Sequence, residues 1–131
     1  MALPNGAGGY QIGDGNLNEI VFTPSAIPTA YTAAATLTTN DLAGGLVVYT
    51  SASTADLALP TATLTDAAFS SARVGSSFDI SLVATSTGVP TITVGTGWTL
   101  VGSGAGVASK SVLFRAVKTG DLTYNLYRIA G

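Results

Sequence analysis

The segment Phe78-Asp-Ile-Ser-Leu-Val-Ala84 alternates large apolar residues with small or polar ones. Successive side chains of a β-strand point to opposite sides, so a strand with one buried face shows a period of two. Phe78, Ile80 and Leu82 then share one face, and the residues between them share the other. The segment therefore predicts a strand whose apolar face lies against a core.

The same alternation continues to the C-terminus, so residues 73–129 predict a run of short strands. Glycine-containing turns separate the strands, and Lys118-Thr-Gly-Asp121 joins two of similar length, which is the clearest hairpin signal in the chain. The further predicted strands are Thr91–Val94, Trp98–Val101, Val112–Val117 and Thr123–Ile129.

The first half of the chain carries shorter strand signals. Residues 29–39 are rich in alanine, which favours helix, and in threonine, which favours strand, so the local preference is divided. Proline cannot donate to a sheet, so Pro24 and Pro28 indicate a loop or a sheet edge. The predicted strands are Glu19–Thr23, Thr36–Thr38, Gly45–Tyr49 and Leu57–Leu59.

One segment predicts a helix, Leu64–Ala72, with Thr65 or Asp66 as its N-terminal cap. Leu64, Ala68 and Ala72 form its expected apolar stripe. Residues 40–44 predict a turn or a single helical turn, capped by Asn40 and ended by Gly44.

The count of eight or nine short strands with one short helix predicts an all-β fold. At 131 residues the chain has the size of one domain. We expect a β-sandwich, jelly roll or related barrel over residues 20–131, and a glycine-rich N-terminal arm over residues 1–19. Tyr10, Ile12 and Leu17 are apolar points along that arm. They indicate either an arm that docks on a partner or a plain terminus.

The composition excludes several classes of function. The chain has no cysteine and no histidine, which excludes disulfides, thiolate nucleophiles, Cys/His zinc sites and a Ser-His-Asp triad. Charged residues make up 9% of the chain, against about 25% in ordinary soluble domains. This composition does not favour nucleic-acid binding, and it is typical of a domain that hides surface in a larger assembly. We expect no enzymatic activity and no cofactor.

The charges are also divided between the two halves of the chain. Residues 1–72 hold five acidic residues and no basic ones, whereas residues 73–131 hold five basic residues and two acidic ones. Opposite halves can attract each other within one fold or between copies. The alternative is that surface charges fall without consequence, since exposed ion pairs stabilise by only about 0–1 kcal/mol.

Two parts of the sequence are candidates for a metal-binding or ligand-binding site. Asp14–Glu19 places oxygen ligands at alternate positions, but the sixth position of an EF-hand needs glycine where Glu19 stands, and its twelfth needs glutamate where Ser25 stands. No metal is therefore expected there. Trp98 indicates either stacking on a sugar or, more commonly for a lone tryptophan in a strand, packing in a core or interface. Tyr124, Leu126 and Tyr127 indicate the same packing.

The N-terminal residues carry no basic segment followed by an apolar one, so we expect no signal peptide. No apolar run approaches the ~20 residues that a membrane helix needs. The sequence predicts a soluble protein made in the cytoplasm.

Two parts of the chain carry a resemblance to a known family. The first part is Met1–Asn16, and the second runs through Leu59–Thr61, Ala67–Phe69, Val74–Ile80, Thr96–Gly102, Phe114–Ala116 and Leu126–Arg128. In these parts the chain resembles capsid decoration, or cement, proteins of tailed bacteriophages. These segments are strand and turn signatures and carry no catalytic motif.

The resemblance implies an all-β virion structural protein, assembled as a homotrimer on the outer surface of the head. It would bind the major capsid protein and stabilise contacts between neighbouring capsid subunits. It would be made in the host cytoplasm, with no membrane or nucleic-acid partner. Tyr10, Ile12 and Leu17 are the expected partner-binding residues. Similar modules occur in phage fibres and spikes, so the alternative is a receptor-binding tip of a tail fibre or spike.

Overall fold

The computed structural model describes residues 27–131, which form nine strands and two helices. The predictions that concern the arm and the strand Glu19–Thr23 lie outside the described residues. The elements in chain order are β1 Ala30–Tyr31, β2 Ala35–Thr36, α1 Thr39–Gly44, β3 Leu46–Tyr49, β4 Ala55–Ala58, α2 Ala62–Ala68, β5 Ser77–Ala84, β6 Pro90–Thr93, β7 Trp98–Val101, β8 Ser111–Gly120 and β9 Thr123–Ala130.

The described strands form two sheets. The larger has six strands in the order β1-β3-β5-β8-β9-β7, and the smaller has three in the order β2-β4-β6. From β1 to β6 the chain alternates between the two sheets, and each strand lies parallel to the previous strand of its own sheet. Residues 30–93 therefore wind as three stacked turns, each of which contributes one strand to each sheet. We call this regular stack of turns the coil.

The corners of the coil stack as well as its strands. The Thr50 N–H donates to the Tyr31 carbonyl at 2.8 Å, and one turn later the Thr85 N–H donates to the Tyr49 carbonyl at 3.0 Å. The hydroxyls of Thr50 and Thr85 lie 2.8 Å apart. These bonds satisfy backbone groups at the corners and fix the register between successive turns.

The C-terminal strands close one side of the coil. β5 pairs antiparallel with β8, and β8 pairs antiparallel with β9 through the predicted hairpin. Leu122 in that turn has φ 51°, a conformation found in tight hairpin turns. β7 then lies parallel to the far side of β9. This arrangement places β5, β8 and β9, which are the longest strands, at the centre of the larger sheet.

A single core lies between the two sheets. Its buried residues include Val47, Ile80 and Phe114 from the larger sheet, and Leu57 and Ile92 from the smaller one. Both helices add to it, through Leu42 and Ala62 respectively. The inward positions of β5 and β8 are those that the period of two predicts, so this prediction is confirmed.

The prediction of a mainly-β fold is confirmed. The finer prediction of a β-sandwich or jelly roll is not confirmed, because jelly rolls pair their strands antiparallel, whereas five of the seven strand pairs in residues 27–131 are parallel. The alternation along each strand indicates which face is buried. It does not indicate which strand lies alongside, and so it cannot distinguish these pairings.

Helix α2 begins earlier and ends earlier than predicted. Thr61 is its N-terminal cap, since its hydroxyl accepts from the Leu64 N–H at 3.3 Å. Starting the helix at Ala62 rotates the buried face, so Ala62 and Thr65 are buried and Leu64 is 59% exposed. The predicted caps Thr65 and Asp66 and the predicted stripe through Leu64 are therefore wrong.

Residues 39–44 form a helix, α1, rather than an isolated turn. Its cap is Thr38, not Asn40, because Thr38 and Asp41 form a reciprocal capping box. The Tyr31 hydroxyl donates a further hydrogen bond to the Asp41 carboxylate. The last residue of the helix is Gly44, as predicted, and Gly45 caps the C-terminal end in the left-handed conformation at φ 71°.

Candidate interaction surface on the larger sheet

On the outward face of the larger sheet, the principal side chains within residues 27–131 are all exposed or partly exposed. We call it the outer face, and it consists of the side chains that alternate with the buried ones on β3, β5, β7, β8 and β9. Its principal members are Leu46, Val48, Ser77, Asp79, Ser81, Val83, Thr99, Val101, Ser111, Leu113, Arg115, Val117, Asn125 and Tyr127.

Half of the outer face is apolar. Val48 on β3 and Val83 on β5 are direct cross-strand neighbours, and so are Tyr127 on β9 and Val101 on β7. Leu46 and Val101 are exposed, and the other apolar members are partly exposed. Several partly exposed apolar side chains on one sheet face are typical of an interaction site.

The outer face carries one ion pair at its centre. The Arg115 Nε donates to Asp79 Oδ1 at 2.8 Å and its Nη2 donates to Oδ2 at 3.3 Å, with side chains 49% and 46% exposed. The hydrogen bond from Arg115 lowers the pKa of Asp79, and the same bond raises the pKa of Arg115. Both groups therefore stay charged at neutral pH, and the formal charge of the face is zero.

A second ion pair lies inside the protein, between α2 and the larger sheet. The Lys118 Nζ contacts Asp66 Oδ1 at 2.5 Å and the Ala72 carbonyl at 3.3 Å, and the Tyr124 hydroxyl donates to Asp66 Oδ1 at 2.8 Å. Burial and the bond to Asp66 raise the pKa of Tyr124 to about 12. This pair joins the acidic half of the sequence to the basic half, as one of the two sequence hypotheses anticipated.

The Asp66 contacts predict a pH-dependent stability. Hydrogen bonds from Lys118 and then Tyr124 lower the pKa of Asp66, although burial opposes them. A lowered pKa in the folded state stabilises the fold above the unfolded value of about 3.9 and loses that contribution as pH falls through the folded value. We expect Asp66→Asn to lower the free energy of unfolding at pH 7, with the gap to wild type closing in acid.

Urea denaturation at pH 7, 5, 4 and 3 measures this gap. The matched control is Asp56→Asn, which changes an exposed aspartate on the smaller sheet, and its gap to wild type should stay small throughout. An Asp66→Asn gap that stays constant down to pH 3 would contradict the assignment of these contacts.

Trp98 belongs to the core and not to a sugar-binding surface. It is 7% exposed, its Nε1 donates to the Pro60 carbonyl at 2.9 Å, and its ring stacks on Tyr124 at 4.9 Å between centroids. Tyr124 and Leu126 are also buried, which confirms core packing for both. Tyr127 instead lies on the outer face, where its hydroxyl accepts from Asn125 Nδ2 at 3.0 Å.

One groove of about 470 Å³ opens between α2 and the start of β5. Phe69 and Phe78 line it and pack edge to face at 5.3 Å, and Tyr124 lies beside them. Serines 71, 76 and 77 also line it. No charged residue lines it, so the groove offers a small apolar recess with hydroxyl groups.

The predicted partner-binding residues Tyr10, Ile12 and Leu17 lie outside the described residues, as does the loop Asp14–Glu19. Within residues 27–131 no group of three or more acidic residues is placed to hold a metal ion. No helix in that range is long and apolar enough to cross a membrane.

Sequence reasoning missed the outer face. The segment Val112–Val117 was interpreted as a strand with one buried face, yet its outward positions include Leu113 and Val117 as well as Arg115. Apolar residues at both the odd and the even positions of a strand indicate that both of its faces contact other protein surfaces.

Comparison with known proteins finds no matching protein family, no matching curated protein and no matching solved structure.

Proposed function

We propose that this chain is a virion structural protein of a tailed bacteriophage, a capsid decoration protein on the outer surface of the head. The observation that carries the proposal is the outer face, which is half apolar, has zero formal charge and has no buried member among the described residues. Such a face suits contact with other proteins in an assembly. The sequence resemblance to cement proteins supplies the kind of assembly.

In this role the protein works by contact and not by catalysis. Apolar surface buried between copies and against the shell stabilises the assembly at about 25 cal/mol per Å², before the costs of association. The protein would bind the major capsid protein and hold neighbouring capsid subunits together against the pressure of packaged DNA. The two sheets around one core would form a rigid, sandwich-like body, and the resemblance implies a homotrimer.

The arm supplies the contact with the shell in this proposal. Tyr10, Ile12 and Leu17 would dock on the major capsid protein, while residues 27–131 keep their fold without it. Among the described residues the buried core begins at Leu37, and Tyr31 and Ala35 pack against it.

The alternative function, a receptor-binding tip of a tail fibre or spike, has less support. In that function Trp98 would stack on a sugar. The Trp98 side chain is instead buried in the core, where it donates a hydrogen bond to Pro60 and stacks on Tyr124. Tyr127 remains partly exposed, but Arg115 and Val101 flank it on neighbouring strands, where it contributes to a flat face rather than to a sugar-sized recess.

Deleting residues 2–18 is expected to leave the β-fold intact and to weaken attachment to heads at least tenfold, which corresponds to about 1.4 kcal/mol. Co-sedimentation of purified protein with undecorated heads measures attachment, and circular dichroism measures the fold. A full-length variant with Tyr10, Ile12 and Leu17 replaced by serine should show the same loss.

The matched control replaces Asn5, Gln11 and Asn16 by serine, which alters the same arm without removing apolar side chains. It should attach like wild type. Undiminished attachment by both the deletion and the triple apolar variant would contradict the docking role of the arm.

A further inference from the structure

We propose that the outer face binds the same face of a second copy of this chain, about a two-fold axis parallel to the strands between β5 and β8. The inference goes beyond the proposed function, because it rests on the outer face alone and names a partner for that face in solution. Its test uses the purified protein without phage heads, so the two proposals can fail separately.

The register of β5 and β8 carries the argument. Four outward pairs lie directly opposite one another, and each combines unlike members: Ser77 with Val117, Asp79 with Arg115, Ser81 with Leu113, and Val83 with Ser111. Three pairs join a larger apolar side chain to a serine, and the fourth joins opposite charges.

A two-fold axis along the strands exchanges β5 of one copy with β8 of the other. Leu113 of one copy then faces Ser81 of its partner, and Val117 faces Ser77, so that large side chains meet small ones across the contact. In an isologous contact each such pair occurs twice, once on either side of the axis. Alternation of large and small residues is what lets two sheet faces interdigitate about 10 Å apart.

The charges fit the same operation. Asp79 of one copy comes to face Arg115 of the other, and Arg115 comes to face Asp79, so the ion pair within each chain becomes a four-membered network across the axis. A partner with a single sign of charge would match only one of the two groups. The face is therefore complementary to itself.

The size of the face predicts the strength of the contact. About this axis β5 of each copy faces β8 of the other over the seven residue pairs of the register, whereas β3 and β9 lie towards opposite ends of the register and overlap little. Two strands about 4.8 Å apart with seven residues each at 3.3 Å give a projected area of about 220 Å² per copy. Two such areas bury about 440 Å², which is below the size of stable specific interfaces. We therefore expect a dimer that dissociates on dilution, rather than an obligate one. The resemblance, by contrast, implies a trimer.

A charge-reversal pair tests the contact. Asp79→Arg gives the face two positive charges and Arg115→Asp gives it two negative charges, so each variant repels its own copies. Like charges brought together cost several kcal/mol, and we expect each variant alone to dimerise at least tenfold more weakly than wild type. Mixed together, the two variants should form a 1:1 heterodimer with affinity restored.

Sedimentation velocity and light scattering of the full chain, from about 1 to 500 µM, measure these species. Two controls accompany the pair. Asp56→Arg reverses an exposed charge on the smaller sheet, and Leu64→Ser removes an exposed leucine on α2. Both should dimerise like wild type. Leu113→Ser, the matched leucine change on the outer face, should weaken the dimer.

Thermal unfolding at 1 µM checks that each variant is folded, as expected for exposed positions. A concentration-dependent wild-type dimer, single variants that stay monomeric and a heterodimer in the mixture support the proposal. A wild-type monomer at 500 µM, a wild-type trimer, charge variants that dimerise like wild type, or a mixture that stays monomeric would each overturn it.

Discussion

Replacing Phe114 with alanine is expected to lower the free energy of unfolding by about 3–5 kcal/mol. Phe114 is fully buried and lies on β8, between β5 and β9 at the centre of the larger sheet. Removal of its side chain leaves a cavity in the core between the two sheets, and β8 cannot easily move to fill it because it is paired with a strand on either side. Small domains are stable by only about 5–15 kcal/mol, so this one change removes a large share of the total.

Equilibrium denaturation in urea, followed by Trp98 fluorescence and circular dichroism, measures the change. Val117→Ala is the matched control, because Val117 lies on the same strand with its side chain on the outer face. It should cost about 1 kcal/mol or less, since partly exposed residues lose less burial. Equal costs for the two variants would contradict the assignment of Phe114 to the inward face of β8 and Val117 to its outward face.

Replacing Gly88 with alanine is expected to lower the free energy of unfolding by about 3 kcal/mol or more. The added Cβ would overlap backbone atoms, which cannot move aside as a flexible side chain can. Gly88 is buried at the corner of the third coil turn, where its N–H donates to the Ser51 carbonyl at 2.9 Å. A Cβ there would lie 2.4 Å from the carbonyl oxygens of Ser51 and Ser53. The corner of the turn beneath would have to move.

Gly95→Ala is the matched control for this prediction. A Cβ at Gly95 would lie 3.5 Å from the Leu59 carbonyl oxygen, an ordinary contact. Where alanine fits the backbone, it reduces the entropy of the unfolded chain, so Gly95→Ala should leave stability unchanged or raise it by up to about 1 kcal/mol. The difference between the two midpoints in urea is the measurement. Equal midpoints would contradict the stacked corners of the coil.

The strands of the C-terminal half were predictable from sequence because one physical rule decides them. A strand with one buried face must alternate, and Phe78–Ala84 shows this over seven residues. The hairpin after β8 was predictable because glycine and aspartate lie between two such segments. In the first half, β1 and β2 are only two residues long, too short for a period to register.

The pairing of the strands was not predictable in the same way. β1, β3 and β5 lie side by side although β2, β4 and both helices intervene in the sequence. Parallel neighbours are specified by contacts between residues far apart, such as Val48 with Val83. Helix ends were missed for a local reason, since Thr38 and Thr61 compete as caps with nearby Asn40 and Thr65.

The sequence did not locate the candidate site, and the kind of function it predicted stays a prediction. Low charge and the lack of cysteine and histidine pointed to assembly rather than catalysis, and the sequence suggested the arm as the contact. The outer face can be recognised only from the register between β5 and β8. That register places Asp79 beside Arg115 and Ser81 beside Leu113. Cross-strand neighbours of this kind are a property of the folded sheet.

The most direct test of the proposed assembly role is a cryo-EM comparison of phage particles produced with and without this protein. The account predicts a difference density of about 13 kDa per copy, repeated regularly over the outer surface of the head and fitted by residues 27–131. Density confined to the tail, or identical head surfaces in the two maps, would contradict it.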